Sequence, residues 1–330
     1  MNRRSPLPSF PSFKVARAVV GAFCAIGAGF APATTWALDK IIWLMPELDT
    51  VAPPSPGAAS VPVRRGLAQP LSDYLTANWG TPAKHEVLIA NVKRSWRMVE
   101  DGEPACHLGV LRTPEREAVA YFFDTHLIPP HQLMVRRSAL PKLPRLPDGD
   151  ADLEKIWAEK QLRGAIVAGR SYGRALDALL AKRPAGVIDE YTTSDFGGNM
   201  LSMIAIGRAD YTIEFDFVLA NQQELRAVTG AGSVGSAGGA SGNGKVSTAD
   251  LVSVPIEGFS SPVISGIACP RNAWGKRTIE QIERVLSTPQ ARQFMRDEFI
   301  SHLSPEAKAR YGPRIDAFYF YAKPAASAPK

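Results

Sequence analysis

Two short stretches combine residue types suited to holding an anion. In the first, Thr113-Pro114-Glu115-Arg116 follows the apolar run CHLGVL. Thr113 can cap the unpaired amides of a helix start, and Pro114 suits the first helical position, where its missing N–H costs nothing. A helix start behind a strand attracts negative charge through those amides and the macrodipole. Arg116, in the first turn, adds a planar fork that fits a carboxylate at two points. Spacing alone leaves a second reading open, an ordinary cap with an exposed arginine. The other stretch is Gly169-Arg170-Ser171-Tyr172-Gly173, behind GAIVA. Its glycines permit close backbone approach, and Ser171 supplies a hydroxyl and an amide.

The three cysteines divide by position. Cys24 follows the bulky Phe23, where an acylation site takes a small residue, so soluble export is favoured over a lipid anchor. Cys106 and Cys269 form an even pair in a chain that carries an export address, and an oxidising compartment favours a disulfide over two free thiols. No CxxC or HExxH spacing suggests zinc, and no cofactor is expected. His126 and His131, around Pro129 and Pro130, read as a solvated loop.

The address is residues 1–37. Arg3, Arg4, Lys14 and Arg17 form a basic start without an acidic residue, followed by AVVGAFCAIGAGFAPA. That run is short for a membrane span, which needs about 20 residues, and it reads as a signal peptide. Removing its four positive charges from the formal +6 leaves +2. A near-neutral chain has no electrostatic footprint for nucleic acid.

The elements that must carry the two corners follow from pattern. With 330 residues, 45% apolar, the chain can build two compact lobes or one large α/β domain. DKIIWLMPEL begins as a buried strand, and CHLGVL and GAIVAG are further strands, each running into a helical stretch. Repetition of strand, turn and helix argues for α/β layering with parallel strands. Residues 85–103 show a helix-like apolar stripe of Val87, Ile89, Val92, Trp96 and Met98. Residues 207–218 read as a strand, and SPVISGIACP as an apolar return strand. Two last helices are expected near 275–286 and 289–303. The stretch 230–244 holds seven glycines in fifteen positions and reads as a flexible surface loop.

Taken together, CHLGVLRTPEREAVAYF, GAIVAGRSYGRALDALL, GRADYTIEFDFVLAN and the last two helices resemble, in order and spacing, the bacterial extracellular solute-binding proteins of family 3. The chain looks like a divergent branch of that superfamily. The resemblance implies an α/β periplasmic binding protein type II fold, with two lobes, each a mostly parallel sheet flanked by helices, joined by two crossing strands. Lobe I would take residues 38–132 and 265–330. Lobe II would take 133–264, with the Gly/Ser-rich insertion at 229–248. The same topology puts the return strand beside the strand of Cys106, so a Cys106–Cys269 bridge would staple lobe I near the hinge.

Carried over by position, Thr113 and Arg116 match the residues that hold a ligand carboxylate, and Ser171 matches the contact from the second lobe. Counted from Asp210, the family's ammonium-binding aspartate falls at Phe215, which takes no charge. Glu214 and Asp216 flank it, and on a strand both would face away from Phe215. A ligand with one anionic end and an aromatic or apolar body suits Arg116 with Phe215 better than an α-amino acid does. Glu214, Trp43 and Tyr172 are further candidates to line the cleft. The resemblance therefore implies a periplasmic, non-enzymatic monomer. It would bind a small carboxylate-bearing molecule, amino-acid-like or an organic acid, for uptake through an ABC permease or for a membrane sensor. Two other readings remain open. One is a scaffold or signalling module that has lost its ligand. The other is a dehydratase-like enzyme with Glu214 or His107 as acid–base.

Overall fold

The computed structural model of the protein describes residues 40–46, 66–193, 197–229 and 248–321. The expected export segment and residues 230–247 of the glycine-rich insertion lie outside them.

The first sheet forms around an apolar strand, β1 (Lys40–Met45), buried from Ile41 onward. Such continuous burial is what a strand covered on both faces requires. It pairs in parallel with β2 (Lys84–Ile89) and β3 (Ala105–Leu111). Beyond β3 come β10 (Val263–Pro270) and then β4 (Ala120–Ile128), both pairings antiparallel. The apolar stripe of 85–103 is not one helix. It divides into β2 and α2 (Val92–Glu100), because the Asn91 side chain accepts the Arg94 amide at 2.9 Å and starts the helix afresh. Val87 and Ile89 are left exposed on the edge strand, while Val92, Trp96 and Val99 are buried.

From β4 the chain passes through 129–131 into the second sheet, ordered β7-β6-β8-β5-β9. These strands are β5 (Gln132–Arg136), β6 (Gly164–Val167), β7 (Ile188–Tyr191), β8 (Tyr211–Glu214) and β9 (Leu251–Pro255). It returns through 256–262 to β10. Each sheet is mixed, with two parallel and two antiparallel pairings, where mostly parallel sheets were expected. The linking strands cause the difference, since β4, β5, β9 and β10 supply every antiparallel pairing.

Helices cover both sheets. α1 (Ala68–Ala77), α8 (Ala273–Leu286) and α9 (Pro289–His302) share one apolar cluster with Ile41, Trp43 and Met45. A further helix, α10 (Pro305–Phe320), joins them, where only two last helices were expected. The Ser304 hydroxyl caps it on the Ala307 amide, and Pro313 inside it breaks the usual helical signature. On the second sheet, α4 (Leu153–Glu159) and α5 (Arg174–Leu180) bury Ile156, Trp157, Leu176 and Leu180. A third cluster spans the two sheets, joining Leu44, Trp96 and Val99 to Met134, Val167 and Met200, the last from α6 (Gly198–Ala205). Among the described residues no helix is long and apolar enough to cross a membrane.

Cys106 on β3 and Cys269 on β10 are joined in a disulfide across the first sheet, 163 positions apart in sequence. The two histidines read as a solvated loop are buried instead. His126 lies on β4, 4% exposed, with its ring edge-on to Phe299. His131, in the link between sheets, stacks on Phe215 at 3.8 Å. Extra strand length and aromatic partners, not visible locally, take both out of water.

Candidate functional site

Both anion corners face the junction of the two sheets. After β3, Thr113 accepts the Arg116 amide at 3.4 Å and Pro114 opens α3 (Pro114–Val119), so the local capping logic holds. α3 has six residues, too short to present much dipole, and the side chain of Arg116 carries the charge here. Its guanidinium donates to the Leu111 carbonyl at 3.0 Å and lies 4.5 Å from the Trp96 ring. The other amino group reaches the second sheet's corner, donating to the Gly169 carbonyl at 3.3 Å. Among the described residues no carboxylate pairs with it. Burial pushes its pKa down to about 10, against the weaker pull of Asp177 and Glu115. The arrangement is a half-shielded cation with only neutral acceptors.

The second corner is organised by its own acid. Asp177 accepts the Tyr172 amide at 2.7 Å and the Ser171 hydroxyl, while the Ser171 oxygen accepts the Gly173 amide at 3.2 Å. Ser171 and the amide of Tyr172 are thus turned toward Asp177 and not toward Arg116. The Tyr172 ring is 3% exposed within the second sheet's core, its hydroxyl accepting the Val167 amide at 3.1 Å. Burial raises that phenol to about 12. What meets Arg116 is the Gly169 carbonyl, at a left-handed φ of 78°. A Cβ there would lie 3.3 Å from Lys93 Cγ on α2.

Between the corners sits a buried ion pair. Arg170 grips Glu214 at two points, its Nη1 on Oε2 and its Nη2 on Oε1 at 2.6 Å. Their side chains are 9% and 1% exposed. The guanidinium lies 5.1 Å from the Tyr172 ring and 5.8 Å from that of Phe215. Close approach to Glu214 depends on Gly197, where a Cβ would fall 1.8 Å from Oε2.

The strand expected over 207–218 stops at Glu214, and α7 (Asp216–Thr229) begins two residues later. Alternation along a strand therefore does not decide where Glu214 and Asp216 point. The Glu214 carboxylate folds back to accept the Phe215 amide at 2.8 Å and meets Arg170. Phe215 stacks between His131 and Phe217, with ring centroids at 3.8 and 5.4 Å. Burial, then the Arg170 charge, hold the His131 pKa well below its ordinary value.

Trp43 does not line this junction. It is 0% exposed in the first sheet's core, stacked on His85 and donating to its Nδ1 at 3.1 Å. The indole that does face the arginine is Trp96, whose place in an apolar stripe marked it only as core. Arg170, Asp177 and Gly197 were also unassigned. The first two stand beside named corner residues, but nothing local told that Glu214 would come to Arg170 from 44 positions away. Among the described residues no group of three or more His, Cys, Asp or Glu side chains is gathered as a metal site.

The architecture is the two-lobed periplasmic binding protein fold. A histidine kinase sensor domain with similarity to periplasmic binding proteins matches with a TM-score of 0.55 at 13% identity, over 81% of this chain and 97% of that one. The amino acid ABC transporter substrate-binding protein AbpA from Streptococcus pneumoniae, bound to L-arginine, matches at 0.52 and 13%, over 80% and 96%. The arginine-, lysine-, histidine-binding protein ArtJ from Geobacillus stearothermophilus matches at 0.53 and 12%, over 82% and 99%. These neighbours are sensing and binding proteins, and identities so low speak for shared architecture alone. No family model and no curated protein matches the sequence.

Proposed function

We propose that this chain is an exported solute-binding protein that takes a small carboxylate-bearing molecule between its two lobes, for an ABC-type permease or a membrane sensor. The observation that carries this reading is Arg116. A guanidinium half removed from water, with an indole on one side and only backbone carbonyls as partners, is satisfied better by a carboxylate, whose charge-assisted bonds are stronger. A ligand carboxylate would replace the Gly169 carbonyl as the lobes part about the links at 129–131 and 256–262 and close again. The amino acid ABC transporter substrate-binding protein and the arginine-, lysine-, histidine-binding protein among the neighbours support a cleft of this kind, and the sensor domain supports the signalling outlet.

The test is a thermal-shift screen of the mature chain against amino and organic acids. A ligand at 100 times its dissociation constant adds about 2.7 kcal/mol. At least one carboxylate should stabilise the parent and leave an Arg116→Ala variant unmoved. If no carboxylate shifts the parent, the reading fails. A scaffold without ligand is then favoured by Asp177, which already fills the second corner.

Glu214 as an enzymatic acid–base is disfavoured by its two-point contact with Arg170, which occupies both carboxylate oxygens and leaves neither turned to a substrate.

A further inference from the structure

We infer that Arg170 is a built-in occupant of a cation subsite formed by Glu214, Tyr172 and Phe215, so that the ligand taken at Arg116 is a carboxylate bearing no ammonium group. This rests on the carboxylate-binding reading of Arg116.

The two corners meet on consecutive residues. Gly169 presents its carbonyl to Arg116, and the Arg170 side chain reaches Glu214. The junction therefore offers one cation without a carboxylate and one anion already neutralised. Glu214 is 1% exposed in its side chain, and the rings of Tyr172 and Phe215 face the guanidinium that pairs with it. Carboxylate and aromatic faces together are what a cation of any origin would require. An ammonium ligand would have to displace a two-point arginine contact held on the protein's own chain, and would lose translational and rotational freedom that the tethered arginine does not. A molecule with a carboxylate and a neutral body meets no such competitor.

The pair is adapted to closeness. Gly197 gives Glu214 Oε2 a space that any Cβ would fill, and Arg170 Nη1 lies 3.2 Å from that same point. Removing the Arg170 side chain leaves a cavity of guanidinium size beside an uncompensated carboxylate, which small cations can enter.

The experiment uses the mature chain, Arg170→Ala, and Arg170→Ala/Glu214→Gln. Binding is measured by calorimetry for matched pairs, phenylalanine with 3-phenylpropionate, leucine with 4-methylpentanoate and glutamate with glutarate, together with ω-amino acids of rising length. Guanidinium and methylammonium, at concentrations far below denaturing ones, are tested for thermal stabilisation.

In the parent, the member lacking the amine should bind about tenfold or more tightly than its amino partner, the worth of one charged hydrogen bond. Arg170→Ala should narrow or reverse that ratio, and the double variant should cancel the gain. Guanidinium should raise the melting temperature of Arg170→Ala and leave the double variant unmoved. Should Arg170→Ala fail to fold alone, its refolded yield with guanidinium becomes the readout, the double variant serving as reference.

Equal binding of amino acids and their amine-free partners by the parent overturns the inference while leaving Arg116 as carboxylate anchor. Guanidinium acting alike on the single and double variants overturns it too. Failure of every carboxylate to bind the parent instead overturns the reading of Arg116, and the guanidinium arm still decides whether Glu214 forms a cation subsite.

Discussion

Arg116 Nη2 donates to the carbonyl of Gly169 at 3.3 Å, across 53 positions of sequence and from one sheet's corner to the other's. The contact joins the segment after β3 to the turn after β6, where the proposed ligand would meet it. An arginine held by a neutral carbonyl can exchange that partner for a carboxylate at a favourable energy. Arg116→Lys keeps the charge but loses the fork and the stacking on Trp96. Calorimetry with whichever carboxylate binds the parent should show affinity falling about tenfold or more. Undiminished affinity would remove Arg116 from the site.

The disulfide is the second point of test. Cys106 and Cys269 close a loop with a sequence separation of 163, and a bridge over so long a loop restricts the unfolded chain strongly. Reduction, or Cys106→Ala/Cys269→Ala, should lower stability by about 2–5 kcal/mol. Denaturant unfolding with and without reductant measures it. Coincident curves would mean that the covalent bond adds nothing to strands already paired.

Acid should destabilise the fold over a defined window. Burial drives the pKa of His107, beside Trp96 and Arg116, down to about 3, and that of His126, near His302, also down to about 3. Burial also holds His131, near Arg170, well below its ordinary 6.5. The folded state refuses protons that the unfolded chain accepts. Stability is therefore complete above about 6.5 and is lost as pH falls from there toward 3. Each such histidine removes up to about 1.4 kcal/mol per pH unit. Melting temperatures between pH 7 and 4 follow this directly, and His126→Gln should flatten the slope. A level profile would show these rings titrating as exposed ones do.

Two glycines should respond very unequally to the same substitution. Gly197→Ala puts a methyl 1.8 Å from Glu214 Oε2 and must disturb the ion pair with Arg170, at a cost of about 3 kcal/mol or more. Gly312, inside α10, has nothing beyond its own helix and chain neighbours within 4 Å of an added Cβ, but Pro313 crowds that Cβ and offsets the helix propensity of alanine, so the change should stay within about 1 kcal/mol. Chemical denaturation of both variants reads the contrast. Equal effects would sever the Gly197 cradle from the stability of the pair.

Local chemistry was legible wherever neighbours in sequence are neighbours in space. Thr113 and Pro114 announce a helix start, the runs around Trp43, Cys106 and Ile166 announce strands, and two cysteines behind an expected export segment announce a bond. Capping and burial periodicity act over a few residues, so a sequence displays them. Tertiary structure decided the rest. It sent Trp43 into the first core and brought Trp96 under Arg116 instead. It ended β8 at Glu214, a strand of only four residues with a helix starting at Asp216, too short for alternation to register. It turned Ser171 toward Asp177, and it delivered Glu214 to Arg170. A charge chooses its partner by distance after folding, and no spacing rule encodes a contact that two separate segments of chain must travel to make.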